Sequence, residues 1–418
     1  MTLTKTLLLL LIAGTPLAVQ HAHGDDFTPT ANPSFQVDYP SPTADKPQSK
    51  LWFMEECWWA LLPRASGPSL WQRTDNGWKE APEIASALRG TPGRADVWPG
   101  AAGVTTAAVA EAGKTNGSIS VFRLTRKREG SENGWEAGVL AELRPPTPDD
   151  AIETATLVQD TAGTWWVAAV AGVKVCVWTS PSEGTAWSGP LVLAEGVDPD
   201  DICVITRLPA NEIGVIWSDQ VREAFLMRAH ADGAPLGDWR EEDVVQRSAK
   251  AADDHLNTCL TPDGTLWVAS KNEIDTDGRP QFTLHLRHAG GEWSPWPFGI
   301  RTGTTRPSRP IVVANGDGSM VLTGYGDNDR AVAFPHDARI VFARVNPAHP
   351  EMVEAPRAVI VPDRVHQSLV QNVTGPREPF PAGAPWIVLA SDQEGRVYET
   401  DLHRAFINVA TGDSTSGK

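Results

Sequence analysis

Residues 154–193 read TATLVQDTAGTWWVAAVAGVKVCVWTSPSEGTAWSGPLVL, and this stretch is the clearest guide to the architecture. It contains four short runs rich in Val, Thr and Trp, and each run is bounded by Gly or Pro. Runs of this composition with turn residues between them are typical of consecutive antiparallel β-strands. The stretch therefore predicts a four-stranded unit of about 50 residues.

A Trp that follows a Gly-containing turn recurs along most of the chain. The recurring residues are Trp78, Trp135, Trp187, Trp239 and Trp293, which are 57, 52, 52 and 54 residues apart. Four-stranded units that repeat at this period predict a β-propeller, an all-β fold of antiparallel blades. We expect these Trp side chains to pack between neighbouring blades rather than to stack on a sugar.

Seven units can be counted from their innermost strands. The predicted inner strands are 50–54, 96–98, 154–159, 203–208, 257–261, 310–315 and 367–373. The last unit shows only three strands, and a closed ring leaves no unpaired edge. The alternating residues 35–39 are therefore predicted to supply the missing strand from the N-terminal segment. A six-bladed ring with an irregular end is the alternative.

The N-terminus carries the pattern of a secretory signal peptide. Lys5 precedes the apolar run 7–13, and Ala22-His23-Gly24 offers small residues for cleavage. No later apolar stretch approaches the length of a membrane span, so we expect a secreted, extracellular or periplasmic protein without membrane insertion. The predicted organisation is a signal peptide (1–24), a Pro-rich segment with the closing strand (25–48), the propeller (49–404) and a flexible tail (405–418).

Charge and cysteine usage narrow the class of protein. The chain has 36 Lys and Arg against 52 Asp and Glu, a formal net charge of −16, which argues against a nucleic-acid partner. The four cysteines, Cys57, Cys176, Cys203 and Cys259, show no C-x-x-C spacing. We expect buried thiols within strands, although an exported compartment permits disulfides, and their pairing stays open.

Charged residues recur in phase with the blades. Asp96, Glu153, Asp201, Asp254, Arg309 and His366 follow one another at steps of 57, 48, 53, 55 and 57 residues. The connections between blades lie on one face of a propeller, so we expect these residues to meet at the mouth of the central channel. The predicted ligand-binding residues are Arg94, Asp96, Glu153, Asp201, Asp254, His255, Asn257, Arg306, Arg309, His366 and Gln367.

This ring of charge admits three interpretations. The side chains could pair with one another and hold the blades in register. The carboxylates of Asp96, Asp201 and Asp254 could instead bind Ca²⁺, which prefers oxygen ligands. Finally, Arg94, Arg306 and Arg309 could bind a carboxylate or sulfate group in a bidentate fork.

Several motifs resemble those of known propellers. Residues 180–187 resemble the Asp-box of sialidase-like propellers, a structural turn on the face opposite their active site, with Ser182 in place of the Asp. The motifs at 94–98, 213–220, 252–257, 305–312 and 387–392 resemble an uncharacterised family of exported bacterial β-propellers. That resemblance spans about residues 50–402 and implies the fold and export, but no mechanism.

Each hypothesis of an enzymatic function depends on few candidate residues. Sialidases use a Tyr nucleophile, and only Tyr325 of the three Tyr residues is expected near the mouth, which disfavours a sialidase. A polysaccharide lyase could use Arg306 or Arg309 to neutralise a uronate and His255, His366 or Tyr325 as the base. An inverting hydrolase could use two of the four carboxylates of Asp96, Glu153, Asp201 and Asp254, whose separation the sequence does not give. We expect an extracellular glycan or protein ligand at the mouth; an acidic-polysaccharide lyase or hydrolase, or an interaction scaffold, are the alternatives.

Overall fold

The computed structural model describes residues 27–406 except 46, 101–102, 128–133, 330–336 and 367–368. The predicted signal peptide and the tail beyond Phe406 lie outside these residues. The described chain is almost entirely β-structure, with 3-10 turns at Pro82–Ile84 and Arg364–His366 and one short helix, α1, at Leu402–Phe406. None of the described helices has the length and apolar character that a bilayer span requires.

The strands form seven antiparallel sheets, which are the blades of a β-propeller. Blade 1 comprises β2 (Leu51–Met54), β3 (Cys57–Leu62), β4 (Ser69–Thr74) and β5 (Gly77–Ala81). Blade 2 comprises β6 (Arg94–Pro99), β7 (Val104–Ala110), β8 (Ile119–Lys127) and β9 (Gly134–Leu143). Blade 3 comprises β10 (Ile152–Gln159), β11 (Trp165–Ala171), β12 (Lys174–Ser180) and β13 (Ser188–Glu195).

The remaining blades repeat this order. Blade 4 comprises β14 (Cys203–Leu208), β15 (Glu212–Asp219), β16 (Ala224–Ala231) and β17 (Asp243–Arg247). Blade 5 comprises β18 (Leu256–Leu260), β19 (Leu266–Lys271), β20 (Pro280–Arg287) and β21 (Trp293–Ile300). Blade 6 comprises β22 (Thr305–Ala314), β23 (Val321–Asp329), β24 (Asp337–Asn346), β25 (His349–Val353) and β26 (Arg357–Ile360), with β25 and β26 both paired to β24.

Blade 7 is completed from the N-terminal segment, as predicted. Its strands are β27 (Asn372–Thr374), β28 (Ile387–Ser391), β29 (Arg396–Asp401) and β1 (Phe35–Gln36). Strand β1 pairs antiparallel with β29, with Phe35 opposite Val397. Seven blades are thus confirmed, and the six-bladed alternative is wrong.

The recurring Trp residues pack where neighbouring blades meet. The ring of Trp135 lies 4.9 Å from that of Trp59 in blade 1, and the ring of Trp239 lies 5.8 Å from that of Trp166 in blade 3. The indole of Trp293 donates a hydrogen bond to Asp243 of blade 4. These large rings bury apolar area between separate sheets, so they help to hold the blades together.

The four cysteines are free thiols. Cys176, Cys203 and Cys259 are buried within strands, and Cys57 is half-buried. Burial raises the pKa of Cys176 and of Cys259 to about 12, so both stay protonated and pack as small apolar groups.

Candidate functional site

The inner strands of all seven blades run in the same direction around the central channel, and they begin on one face. We call this the mouth face; it carries the ends of the outer strands and the loops between the second and third strands. The turn at residues 180–187 lies on the opposite face, because it joins β12 to β13. Most charged residues predicted from the repeat fall on the mouth face, but they do not form one open ring.

Asp96 is buried within the channel and belongs to the framework. Its side chain accepts hydrogen bonds from the backbone of Ser49 in the N-terminal segment and of Leu157 in blade 3, both at 2.8 Å. Its Oδ2 also lies 3.0 Å from Nη2 of Arg377 in blade 7. Burial raises the pKa of Asp96, and the guanidinium of Arg377 opposes that rise. A carboxylate enclosed in this way links three blades and is closed to a ligand.

Asp201 and Glu153 each have surroundings of their own. Asp201 is fully buried and accepts hydrogen bonds from the backbone of Asp198 and Gln220, which fixes the turn before β14. Burial raises the pKa of Asp201. Glu153 lies on β10 beside Gly113, in the loop that joins β7 to β8. Among the described residues, the groups close enough to share an ion with Asp254 are those of Asp253 and His255, and not those of Asp96 or Asp201.

The turn before β18 brings Asp253, Asp254 and His255 into direct contact. Nδ1 of His255 contacts a carboxylate oxygen of Asp253 and one of Asp254, and Nζ of Lys271 contacts the other oxygen of Asp253. His255 is buried, at 6% exposure. The ligand atoms of the two carboxylates and the imidazole all lie within 4.8 Å of one another.

This turn could hold a divalent cation, but it is a poor calcium site. Calcium takes about six to eight oxygen ligands, and this set offers two carboxylates and one imidazole. The more direct chemical consequence is that two carboxylates fix the imidazole plane of His255. Carboxylates placed in this way orient a histidine and determine which ring nitrogen carries its proton.

Arg309 lies nearby on a β-bulge in blade 6. The register between β22 and β23 shifts between Ser308 and Ile311, and Arg309 adopts a φ of 58° there. A positive φ is unfavourable for a residue with a long side chain and is found mostly where function or packing imposes it. The bulge turns the Arg309 side chain into a narrow cleft that Asp45 and Asn372 also line.

The guanidinium of Arg309 is largely enclosed but makes few hydrogen bonds. Nη1 donates to Oγ of Ser308 at 3.1 Å, and this is its one hydrogen bond among the described residues. Burial lowers the pKa of Arg309, and the nearby carboxylates of Asp254 and Asp45 act in the opposite direction. A guanidinium has five N–H donors in a planar fork, so most of the hydrogen-bonding capacity of Arg309 is not used by the described chain.

The described residues 39–45 and 47–50 of the N-terminal segment cover part of the mouth, and the sequence pattern did not indicate this. Arg94 donates to the backbone oxygens of Pro40 and Ser41 at 3.0 and 3.2 Å, and its guanidinium lies over the ring of Tyr39. Nη1 of Arg94 is 3.6 Å from Asp45. Arg94 therefore anchors this segment instead of facing a ligand.

The same segment continues down the channel. Gln48 donates to the backbone oxygen of Ala155 in blade 3 at 2.9 Å. Lys50 is completely buried, and its Nζ donates to Oε1 of Gln48 at 2.9 Å. Burial lowers the pKa of Lys50 to about 7. Because this segment has no repeat pattern, its position in the channel could not be predicted from the sequence and is known only from these contacts.

The structure gives the other predicted residues contacts of their own. Tyr325 is buried between Phe282 and Phe298 of blade 5, and burial raises its pKa. His366 lies beside Asp363, with Nδ1 2.8 Å from a carboxylate oxygen. The remaining residues are Asn257, which accepts a hydrogen bond from Val312, Arg306, which lies 3.5 Å from Asp277, and Gln367, which is outside the described residues.

Comparisons with known proteins agree on the fold. No family model and no curated protein matches the sequence. The solved structure of an ulvan lyase, from a new family of polysaccharide lyases, is 11% identical, covers 88% of this chain and 96% of its own, and has a TM-score of 0.54. Its complex with -[GlcA(1-4)Rha3S]- gives the same values. An α-L-arabinanase of Penicillium chrysogenum is 13% identical over 71% of this chain and 92% of its own, with a TM-score of 0.46.

Identities this low indicate a shared propeller fold and nothing further. The resemblance to exported bacterial propellers and to Asp-box turns therefore stays a prediction. The candidate site is therefore smaller than predicted. Instead of eleven ligand-binding residues around the mouth, it comprises Arg309, Asp253, Asp254 and His255.

Proposed function

We propose that the protein binds an acidic glycan at the channel mouth, with Arg309 as the cation that receives a carboxylate or sulfate group. The observation that carries the proposal is that Arg309 combines a strained backbone with an enclosed guanidinium that makes few contacts. Its backbone is held in an unfavourable conformation, its side chain is enclosed, and its guanidinium makes one hydrogen bond among the described residues. A bidentate anion would occupy the unused N–H groups.

The charges around Arg309 favour specific recognition over general attraction. Arg94 and Lys271 are already paired with Asp45 and Asp253. Arg309 has no direct ion pair among the described residues. An acidic sugar would therefore gain one well-placed cation, while the neighbouring carboxylates would exclude poorly oriented anions. The structural neighbour with bound -[GlcA(1-4)Rha3S]-, a chain of uronate and sulfated sugar, supports an acidic ligand for this fold.

A lyase acting on the same glycan is the second candidate, and the environment of His255 favours it. In β-elimination a base removes the proton α to the uronate carboxylate, the glycosidic C–O bond breaks, and the leaving oxygen takes up a proton. Arg309 would neutralise the carboxylate and the oriented imidazole of His255 would take the proton. The exposure of His255 is only 6%, however, so binding without turnover is the leading proposal.

One experiment separates these candidates. The purified protein is incubated with polygalacturonate, hyaluronan, unsulfated chondroitin and ulvan while binding and ultraviolet absorbance are followed. Binding without new absorbance or reducing ends supports the recognition proposal. An absorbance rise from an unsaturated uronate supports the lyase, and new reducing ends without it support a hydrolase. Absence of binding to every acidic glycan overturns the proposal and favours an interaction scaffold.

Export is part of the proposal, because an acidic polysaccharide is met outside the cytoplasm. N-terminal sequencing of the protein recovered from the culture medium or periplasm tests it. A mature N-terminus near residue 25 is expected, whereas a protein retained in the cytoplasm with Met1 would contradict export.

A further inference from the structure

A second concavity lies on the mouth face, over blade 2. It has a volume of about 160 Å³ and lies between residues 90–92, which lead into β6, and residues 111–118, which join β7 to β8. Its lining includes Thr91, Glu111, Asn116, Ser118, Ser120 and Glu142. Small-molecule pockets commonly have volumes of about 300–1,000 Å³, so this one suits a single small ring.

The pocket offers hydrogen-bonding groups that the protein does not use. The side chains of Asn116, Ser118 and Ser120 make no hydrogen bond to any described residue. Ser120 is the most informative, because this lining residue is only 6% exposed. A hydroxyl that no protein group contacts is open to hydrogen bonding by water or by a ligand.

The charges in the pocket are already matched. Glu111 lies 2.6 Å from Nζ of Lys114, and Glu142 lies 2.8 Å from Nη2 of Arg144. An acidic sugar would find two carboxylates and no unpaired cation among the described lining residues. The hydroxyl groups of a neutral sugar, in contrast, can donate to the carboxylates and accept from the amide and serine groups.

The pocket is close to the channel mouth. Arg94 begins β6 and is paired with Ala110 at the end of β7, so Pro92 and Glu111 lie one or two residues beyond this end of the two strands. At about 3.3 Å per residue, the pocket begins about 7 Å beyond the Arg94 backbone. A chain bound at the mouth would reach the pocket by crossing the start of blade 2.

We propose that this pocket binds a neutral sugar of the same glycan whose acidic sugar is bound at Arg309. The inference rests on the proposed function at the mouth. It makes the ligand an alternating chain of acidic and neutral sugars and not an acidic homopolymer.

The test compares oligosaccharides of equal length from unsulfated chondroitin, which alternates glucuronate with a neutral sugar, and from polygalacturonate. By calorimetry we expect the intact protein to bind the alternating chain about tenfold more tightly. Ser120→Ala should weaken that binding about three- to tenfold. Ser118→Trp, which fills the pocket, should abolish the preference and leave polygalacturonate binding unchanged. Ser188→Trp, at the start of β13 on the opposite face, is the matched control.

The outcomes distinguish the two proposals. If Ser118→Trp keeps the preference for the alternating chain, the pocket assignment is wrong while binding at Arg309 stands. If the intact protein binds neither chain, the proposed function fails. The pocket is then tested by soaking crystals in N-acetylgalactosamine: density for the sugar over blade 2 supports the subsite, and an empty pocket overturns it.

Discussion

Arg377 and Asp96 meet inside the channel, with Nη2 of Arg377 3.0 Å from Oδ2 of Asp96, although they belong to blades 7 and 2. Both side chains are almost fully enclosed, at 5% and 0% exposure. Arg377 also donates to the backbone oxygen of Leu157 in blade 3. This contact ties non-adjacent blades together across the axis, so it restrains the ring in a way that packing between neighbours does not.

Asp96→Ala should destabilise the protein strongly. It leaves a buried guanidinium without its counter-charge, and breaking a buried pair in this way costs about 3–5 kcal/mol of unfolding free energy. Urea denaturation followed by Trp fluorescence measures the loss. Glu136→Ala, which breaks the exposed pair with Lys127, is the control and should cost less than about 1 kcal/mol. If Asp96→Ala folds as stably as the control and loses glycan binding, Asp96 belongs to the ligand site instead.

Lys50→Met should stabilise the protein most at neutral and lower pH. Burial lowers the pKa of Lys50 from 10.5 to about 7. Between these values the unfolded chain holds the proton and the folded protein does not, so stability rises with pH across this window. Below pH 7 the folded protein carries the full cost of a buried ammonium, with an upper limit of about 5 kcal/mol.

The measurement is urea unfolding of the wild type and Lys50→Met at pH 6 and pH 9. The stabilising effect of the substitution should shrink as the pH rises from 6 to 9. Lys79→Met, at an exposed position on β5, should show no such change. An equal effect of Lys50→Met at both pH values would show that Lys50 does not titrate in this window.

Arg309→Gly should separate binding from stability. Glycine tolerates the φ of 58° that Arg309 adopts, and the substitution removes a buried charge, so the unfolding free energy should stay unchanged or rise by up to about 1 kcal/mol. Binding of acidic oligosaccharides should fall at least about tenfold, because a charge-assisted bidentate contact is lost. Calorimetry and urea unfolding on the same preparation measure both quantities. A loss of stability above about 2 kcal/mol with normal binding would make Arg309 a framework residue.

Glu399→Ala should weaken the closure between blades 7 and 1. The single N–H at Nε of Arg73 is shared between both carboxylate oxygens of Glu399, each 3.0 Å away, and Nη2 of Arg73 donates to one of them at 2.9 Å. The indole of Trp78 donates to the same carboxylate at 2.5 Å. Because the pair is partly exposed, we expect a loss of about 1–3 kcal/mol. Thermal unfolding measures it, with Glu394→Ala as the exposed control on the same blade. Equal melting temperatures for both variants would contradict a closing role for Glu399.

The propeller follows from local signals in the sequence. Trp135 lies at the start of the outer strand of blade 2 and Trp239 just before that of blade 4, and each ring packs against a Trp of the preceding blade. The closing strand is shorter than predicted, Phe35–Gln36 instead of 35–39, because Tyr39 and Pro40 turn away to meet Arg94.

The candidate site was predicted less well, because repeat phase fixes the position of a residue along a blade but not its partner. Asp96 has the predicted phase, yet its partner Arg377 lies 281 positions later in a non-repeating connection. The contribution of Gln48 and Lys50 depends on a segment without periodicity. Arg309 was predicted at the mouth, but its positive φ depends on a bulge that no local composition signals.

The pairing of β1 with β29 has a consequence for biosynthesis. Strand β1 is synthesised before the other described strands, whereas its partner β29, which ends at Asp401, is synthesised after them. The edge of β1 therefore has no native partner until β29 has been made, so the ring can close only after all seven blades have been synthesised. Moving residues 27–50 to follow the last blade in a circular permutant would place these two strands next to each other in the order of synthesis, and should let blade 7 form as one local unit.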